Sequence, residues 1–254
     1  MTSSSSSSSP APAAAILPPP PGGSPASSSS PAPAAAILPP PPGGSPAVYV
    51  PPESQSEEDL RWMKEAISMA QEAMDNAEVP VGCVFVRGVE VIGAARNRTN
   101  EYMNATRHAE LEAIDSILRR FPPQRPDFGL HPTSATHSAD RSNIFQETTL
   151  YVTIEPCIMC GAALREIGIG RVVFGAGNER FGGNGSVLAL HDDPALVNSP
   201  PYRSEGGYYR EEAIMLLRKF YMTENTNAPV PKTKARRVLK TNIQPPGVSM
   251  YQQQ

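Results

Sequence analysis

The chain has 254 residues and three cysteines, and its 22 lysines and arginines against 25 aspartates and glutamates give a net charge of −3. Three cysteines are too few for the disulfide framework of a small secreted domain, and no apolar run approaches the roughly 20 residues that cross a bilayer. We therefore exclude disulfide-stapled and membrane-spanning proteins, and expect one domain with a real core plus tails.

The first 52 residues differ from the rest, because they carry no charged side chain and hold 16 of the 29 prolines. Residues 9–26 (SPAPAAAILPPPPGGSPA) recur letter for letter at 30–47. Two copies are too few for a solenoid, and this composition offers little apolar surface to offset the entropy of ordering. We predict a disordered low-complexity tail over 1–52, with a ligand for a proline-binding module as the alternative.

From residue 53 onward the chain alternates helical and strand patterns. Ser56 precedes three acidic residues with the spacing of a helix N-cap, and apolar residues then recur at helical intervals until 76–80 breaks the pattern. Two β-branched runs, 81–86 and 89–94, flank an Arg-Gly pair at 87–88, which predicts a β-hairpin.

The second half continues the alternation. We predict a helix over 108–120, a surface insertion over 121–147, a strand over 149–154, a helix ending near 167, a strand over 171–175, a loop over 181–185 and a helix over 210–222. Pro156 is expected in the first turn of its helix and Gly168 at the C-cap, and Tyr221 is expected to face inward. This order predicts a three-layer α/β/α domain with a mixed central sheet, in which the hairpin is antiparallel and the crossovers are parallel.

Residues that bind zinc occur at the starts of two predicted helices. His108 begins one helix, and Cys157 and Cys160 lie three residues apart at the start of another, so both sulfurs can point the same way. A helix N-terminus favours the thiolate that binds zinc. One imidazole and two thiolates leave one position of a tetrahedral zinc open for water, which is typical of a catalytic site.

Glu110 follows His108 by two residues, about 200° further around the helix. It is therefore placed to reach a zinc-bound water rather than to be a fourth ligand. A carboxylate there can take the proton of that water and return it to a ring nitrogen, then to a departing amine. The combination His-x-Glu and Pro-Cys-x-x-Cys is the known signature of zinc deaminases that act on nucleobases.

Other interpretations of these residues remain open at this point. A lone Cys-x-x-Cys also occurs in redox pairs and structural zinc sites, but a redox pair leaves the His-Ala-Glu motif unexplained. Cys83 could complete a structural site, although its apolar strand favours a plain buried thiol. His131, His137 and His191 lie in loop-like sequence and are expected to be solvated.

Four stretches carry a resemblance to a known family, and they run over 79–86 (VPVGCVFV), 104–115 (NATRHAELEAID), 150–188 and 206–229. They resemble the catalytic subunit of eukaryotic tRNA-specific adenosine deaminase, in the cytidine-deaminase-like superfamily, over about 57–240. The resemblance implies a central sheet with helices on both faces, a zinc cofactor, and conversion of adenosine to inosine at the wobble position of the tRNA anticodon loop. It also implies a heterodimer with a related subunit that lacks the catalytic glutamate.

Within the resemblance, Glu110 marks this chain as the active partner. Asn97 matches the residue that hydrogen-bonds the flipped base, and Val81 and Ala109 match other substrate-contacting positions. A turn residue after the strand is the alternative for Asn97.

The basic residues at the C-terminal end contrast with the acidic remainder. Residues 53–227 hold 17 basic and 25 acidic side chains, whereas the following tail holds five basic residues and no acid: Lys232, Lys234, Arg236, Arg237 and Lys240. We expect this tail to contact RNA phosphates, with a solvated tail or nuclear-import signal as alternatives. We therefore divide the chain into a disordered tail over 1–52, a deaminase domain over 53–228 and a basic tail over 229–254. We expect the protein in the nucleus, the cytoplasm or both.

Two other functions compete with tRNA deamination. The chain could deaminate a small base or nucleotide such as cytosine, guanine or deoxycytidylate. It could also be a non-catalytic RNA-binding or scaffold subunit with a structural zinc.

Overall fold

The computed structural model describes residues 44–122, 144–224 and 237–245 of the chain. All of them fall in one unit, Pro40–Gln254. The four helices described are α1 (Glu57–Asp75), α2 (Ala109–Arg120), α3 (Ile158–Glu166) and α4 (Arg210–Met222). The six strands described are β1 (Val48–Tyr49), β2 (Gly82–Arg87), β3 (Glu90–Arg96), β4 (Thr148–Ile154), β5 (Arg171–Ala176) and β6 (Arg203–Gly206), and a short 3-10 turn covers Pro52–Ser54. In this part of the chain no helix has the length and apolarity that a membrane crossing demands.

The strands form one mixed sheet in the order β1-β6-β5-β4-β2-β3. The hairpin β2–β3 is antiparallel and β4 pairs antiparallel with β2, whereas β4, β5, β6 and β1 run parallel. The mixed sheet predicted from the sequence is confirmed. The hairpin turn lies at residues 88–89, one position later than predicted, because Gly88 adopts a φ of +61° that suits a tight hairpin.

Side chains alternate across the sheet and divide the core into two layers. On one face Phe85, Val152 and Phe174 pack with apolar residues of α2 and α3. On the other face Val84 and Val173 pack against the apolar side of α1. Helices therefore cover both faces, which confirms the predicted three-layer arrangement.

The helix boundaries follow the capping chemistry of the sequence. The Ser56 side chain accepts a hydrogen bond from the Asp59 amide at 3.0 Å, so α1 begins where its N-cap was predicted. Pro156 was predicted in the first turn of α3, but it precedes the N-cap residue Cys157 and lies outside the helix. Gly168, with φ of +70°, follows the C-cap of α3 and ends it as expected. In α4 the inward prediction for Tyr221 is wrong, because 51% of this side chain is exposed.

The sheet begins earlier in the chain than the sequence predicts. Strand β1 pairs with β6 through Val48 and Tyr49, Ala47 is buried, and the Val50 amide donates to Gly206 at 2.9 Å. Residues 44–52 therefore belong to the folded unit rather than to the tail predicted over 1–52. The rest of that tail, 1–43, lies outside the described residues.

The predicted insertion over 121–147 is described only at its ends. Phe145 is buried in the core on the α2 side of the sheet, and Phe121 packs against the same cluster. Residues 123–143, which include His131 and His137, lie outside the described part of the chain.

Candidate metal centre and active site

His108 is placed by the connection between β3 and α2. The loop after β3 returns on itself through a hydrogen bond from the Arg98 amide to the Arg107 carbonyl at 2.9 Å, and His108 follows as the N-cap residue of α2. Its side chain makes no capping bond. Instead, the Asn97 Oδ1 accepts a hydrogen bond from the Ala109 amide at 2.8 Å, so Asn97 caps the helix and leaves the imidazole of His108 available.

The two cysteines reach the same point from the start of α3. Cys157 is the N-cap residue and Cys160 lies in the first turn, at the end of the crossover from β4. The His108 Nδ1 is 3.5 Å from the Cys157 Sγ and 3.6 Å from the Cys160 Sγ. Bonds of about 2.3 Å to sulfur and 2.0 Å to nitrogen in a tetrahedral zinc separate these atoms by about 3.6 Å. The three predicted ligands are therefore brought together at the spacing that zinc requires.

Hydrogen bonds among the three predicted ligands shift the pKa values of both thiols. A hydrogen bond with Cys160, joined by one with His108, lowers the pKa of Cys157 to about 4. The same bond to Cys157, together with burial, raises the pKa of Cys160. The thiolate is therefore favoured at Cys157 and the thiol at Cys160, and a bound divalent cation would favour the thiolate at both, because a coordinating thiol is deprotonated.

Glu110 lies beside the cluster on the first turn of α2, where only 3% of the residue is exposed. Its Oε2 is buried without a hydrogen-bond partner among the described residues. Burial, and then the charge of Cys157, raise the pKa of Glu110 to about 7. A buried carboxylate oxygen that the protein leaves unpaired fits a polar occupant next to the three ligands, and this is the position that the sequence predicts for the proton carrier.

A cavity of about 1020 Å³ opens onto these residues. Its lining includes His108, Glu110 and Cys157 together with two predicted substrate-contacting residues, Asn97 and Val81. The third, Ala109, does not line the cavity, because its side chain packs in the core and its amide is bonded to Asn97. Several residues that line the cavity were not predicted: Thr99, Asn178, Glu179, Arg180, Phe181, Leu217 and Tyr221.

The basic tail meets the cavity at one described point. Arg237 lines the cavity and its Nη1 donates to the Tyr221 carbonyl at 3.2 Å. Lys240 is exposed, and its carbonyl accepts a hydrogen bond from Arg218. The other three basic residues predicted to contact RNA, Lys232, Lys234 and Arg236, lie outside the described residues.

The positions of Cys83 and His191 test two further predictions made from the sequence. Cys83 is fully buried in β2, and the metal-ligand group found in the described residues does not include it, which agrees with the plain buried thiol. His191 was expected to be solvated, but only 5% of it is exposed. The prediction is wrong because His191 packs against the Tyr202 ring, with the ring centroids 5.9 Å apart.

Comparison with known proteins defines first the class of this domain. Residues 56–176 match the family described as the cytidine and deoxycytidylate deaminase zinc-binding region. The domain with its His-Cys-Cys cluster is therefore a zinc-binding deaminase domain.

Curated relatives narrow this class. The chain is 45% identical to tRNA-specific adenosine deaminase 2 of Xenopus laevis, over 71% of this chain and 96% of that protein. It is 44% identical to the tRNA-specific adenosine deaminase subunit tad2 of Schizosaccharomyces pombe over 75% of this chain, which spans 44% of that longer protein. The tRNA-specific adenosine deaminase of Streptococcus pyogenes serotype M18 is 34% identical over 65% of this chain and 91% of its own length. The chain belongs to the tRNA-specific adenosine deaminase family.

One solved structure comes from a study of A-to-I editing by tRNA:A34 deaminases at the wobble position of transfer RNA. It shares 29% identity with this chain, covers 62% of this chain and 99% of its own, and superposes with a TM-score of 0.49.

Proposed function

We propose that this chain hydrolyses adenosine to inosine at the wobble position of tRNA anticodons, as the catalytic subunit of a heterodimer. Family membership supports the reaction and the substrate class. The observation that carries the proposal is the buried Glu110 Oε2 beside the three ligands, which has no hydrogen-bond partner among the described residues, because a purely structural zinc site does not require a carboxylate there.

Glu110 is the residue that moves protons in this mechanism. His108, Cys157 and Cys160 would hold the zinc ion, which would act as a Lewis acid that makes hydroxide available at neutral pH. The Glu110 carboxylate, buried beside the three ligands, can accept a proton from the attacking water and pass it to a ring nitrogen of adenine. Glu110 then takes the second proton of the water from the new C6 hydroxyl and gives it to the departing amine, so that water is consumed, the C6–N bond breaks and ammonia leaves.

Asn97 orients the base in this proposal. Its Oδ1 is committed to the Ala109 amide, so the side-chain nitrogen is the atom left to donate toward the cavity that Asn97 lines. Adenine offers ring nitrogens as acceptors for such a donor. Because the same amide group caps α2, Asn97 fixes the base in relation to His108 and Glu110 through one rigid contact.

The anticodon loop suits a cavity of this kind, because its bases are unpaired and can be extruded into a pocket without breaking a duplex. Arg237 brings a positive charge to the cavity rim, and residues 232–240 hold five basic residues and no acidic one. An acidic domain with so few basic residues would gain phosphate contacts from a partner, which supports the heterodimer. We also propose the nucleus, the cytoplasm or both as its compartments; the basic stretch matches the composition of a nuclear-import signal.

The test is inosine formation with and without the partner. The chain is co-expressed with a related deaminase-like subunit, and the purified complex is incubated with a tRNA that carries adenosine at the wobble position. We expect mass spectrometry of the digested tRNA to show inosine from the complex, and no inosine when a tRNA with guanosine at that position is supplied. Turnover of free cytosine, guanine or deoxycytidylate without inosine would establish the small-molecule alternative instead.

A further inference from the structure

A second buried glutamate, Glu155, lines the same cavity, and the mechanism does not use it. Glu155 follows the last residue of β4, two positions before Cys157, and is 1% exposed. Its Oε1 accepts hydrogen bonds from the amides of Asn184 at 2.9 Å and Ser186 at 3.1 Å. Its Oε2 accepts from the Asn178 amide at 2.8 Å and from the Ser186 hydroxyl.

All four donors belong to one loop, residues 177–186, that forms part of the cavity wall. Asn178, Arg180 and Phe181 of this loop line the cavity, and 63% of Phe181 is exposed there. The loop also joins the metal-ligand segment through its backbone, since the Ile158 amide donates to the Phe181 carbonyl at 2.8 Å. The backbone of Cys157 itself forms an isolated antiparallel β-bridge with Gly182.

Gly182 shows that the loop is shaped around the carboxylate. A Cβ atom at this position would lie 2.4 Å from the Glu155 Oε1 and 2.6 Å from the Oε2, closer than real Cβ atoms approach. A glycine here is therefore a space for the Glu155 side chain. Any larger residue must displace either the carboxylate or the loop.

The type of partner decides what the carboxylate does. No cation pairs with Glu155 among the salt bridges of the described residues; its partners are three backbone amides and one hydroxyl. Bonds from amides to an ionised acceptor are stronger than neutral ones, and they fix the backbone rather than a flexible side chain. A carboxylate bound in this way determines where residues 178–186 lie relative to Cys157.

We propose that Glu155 is a positioning residue, which holds the loop 177–186 against the start of α3 so that the cavity-facing side chains of the loop place the substrate base against Glu110. The inference rests on the proposed function, because it concerns the substrate of the same cavity. Glu155 lines the cavity, but both of its carboxylate oxygens are bonded to the loop, so its effect on the substrate passes through the loop. Misplacing a substrate by about 1 Å costs on the order of a hundredfold in rate.

The hold on the loop is tested first by hydrogen exchange on the zinc-loaded chain, without any substrate. In Glu155→Gln an amide group replaces one acceptor oxygen, and Gly182→Ala displaces the carboxylate while keeping its charge. We expect the amides of Asn178, Asn184 and Ser186 to exchange at least about tenfold faster in both variants. Unchanged exchange in these amides would overturn the proposal, whether or not the chain is a tRNA deaminase.

Asp59→Asn provides a matched control. The Asp59 carboxylate is also buried and accepts four hydrogen bonds, from Ser56, Tyr151 and two nitrogens of Arg171. Arg171 begins β5, at the other end of the strand from the cavity. This variant should lose stability and leave the exchange of the 177–186 amides unchanged.

The effect on catalysis is tested with the heterodimer and wobble-adenosine tRNA. We expect Glu155→Gln and Gly182→Ala to lower kcat/KM by about tenfold or more with one zinc still bound, while Asp59→Asn keeps kcat/KM at the wild-type value. In a chain that also carries Arg180→Ala and Phe181→Ala, Glu155→Gln should cost much less, because the side chains through which it acts are gone. Additive losses would show a merely structural role and overturn the proposal. Absence of inosine from the wild-type complex would instead overturn the proposed function, and the exchange experiment would still decide the role of Glu155.

Discussion

Glu110 is the residue at which an enzyme and a zinc-binding scaffold would differ most. Glu110→Gln keeps the size of the side chain and removes its capacity to carry a proton, so we expect turnover to fall by about 10²–10⁴-fold. The three ligands are untouched, and elemental analysis should still find one zinc per chain. Deamination near the wild-type rate in this variant would favour the scaffold interpretation and contradict the proton-carrier role.

His191 carries a prediction about acid stability. Burial lowers the pKa of His191 to about 4, and its Nδ1 has no hydrogen-bond partner among the described residues, so the folded imidazole stays neutral. In the unfolded chain a histidine binds its proton near pH 6.5. Between these values the unfolded state holds more protons, so stability is lost as the pH falls from about 6.5 to about 4, by up to roughly 3 kcal/mol.

The substitution His191→Phe keeps a ring against Tyr202 and removes the titration. We expect the free energy of unfolding, measured in urea, to fall less between pH 7.5 and pH 5 in this variant than in the wild-type chain. The same pH dependence in both proteins would show that His191 is not the source.

The candidate site residues that the sequence predicts are those that belong to short motifs with a fixed spacing. His108, Glu110, Cys157 and Cys160 were predicted because a short motif at a helix start determines both the residue type and its direction. Glu155 was missed, since its partners lie 23 to 31 positions away and a lone glutamate carries no signal that it will be buried. Residues 181–185 (FGGNG) were predicted as a loop, but nothing in that sequence indicates that a carboxylate occupies the interior of the loop.

At the level of elements, the loop between β3 and α2 depends on another buried glutamate. The Glu78 Oε1 accepts hydrogen bonds from the amides of Asn100 at 2.7 Å and Glu101 at 2.8 Å, and its Oε2 accepts from the Thr99 hydroxyl at 3.0 Å. This loop leads into His108, so Glu78 stabilises one side of the metal site at a distance.

We expect Glu78→Gln to weaken zinc binding by up to about tenfold, less than the roughly 10–100-fold typical of partners that bond a ligand directly, because Glu78 bonds the loop before His108 and not His108 itself. Competition with a chromogenic chelator measures this change. Ser56→Ala is the control, because it removes the N-cap of α1 and costs about 1 kcal/mol of stability, while Ser56 lies outside the loop between β3 and α2. Equal zinc affinity in wild-type and Glu78→Gln chains would contradict the prediction.

The elements themselves were predictable where periodicity and caps agree. Helix α4 matches its predicted bounds, and α1 begins at the predicted cap. Strand β6 was missed because its sequence, RSEG, has no apolar pattern; Glu205 is buried there through ion pairs with Arg171 and Arg203. A strand that is stabilised by ion pairs and by hydrogen bonds to a strand on each side cannot be predicted from the hydrophobic pattern of its own residues.

At the scale of the whole molecule, composition predicts the start of the folded unit with an error of several residues. The absence of charge continues to residue 52, yet Ala47 is buried and Val48–Tyr49 adds an edge strand beside β6. Burial of a few apolar side chains and a parallel pairing outweigh a composition typical of disorder. Tertiary contacts therefore set the boundary, and the repeat that extends to residue 47 overlaps the fold.

Charge distribution gives the last prediction, which concerns the tail. The tail after Asn227 holds five basic residues, whereas the rest of the chain is acidic. Two of these five lie in the described part of the chain: Arg237 lines the cavity and Lys240 is exposed. Each lysine or arginine that contacts a phosphate steepens the salt dependence of binding by about one unit in the logarithmic slope. We expect removal of 232–254 to weaken tRNA binding by the heterodimer and to flatten that slope by several units.

Single substitutions separate the two roles of the tail. Arg237→Gln should lower the slope by about one unit and also reduce kcat/KM, because its guanidinium adjoins the cavity, whereas Lys240→Gln should change only the slope. Binding is measured by titration of labelled tRNA between about 50 and 200 mM salt, the interval in which phosphate contacts change affinity most visibly. An unchanged slope after the deletion would assign RNA binding to the partner subunit, and the acidic domain would then contribute the chemistry alone.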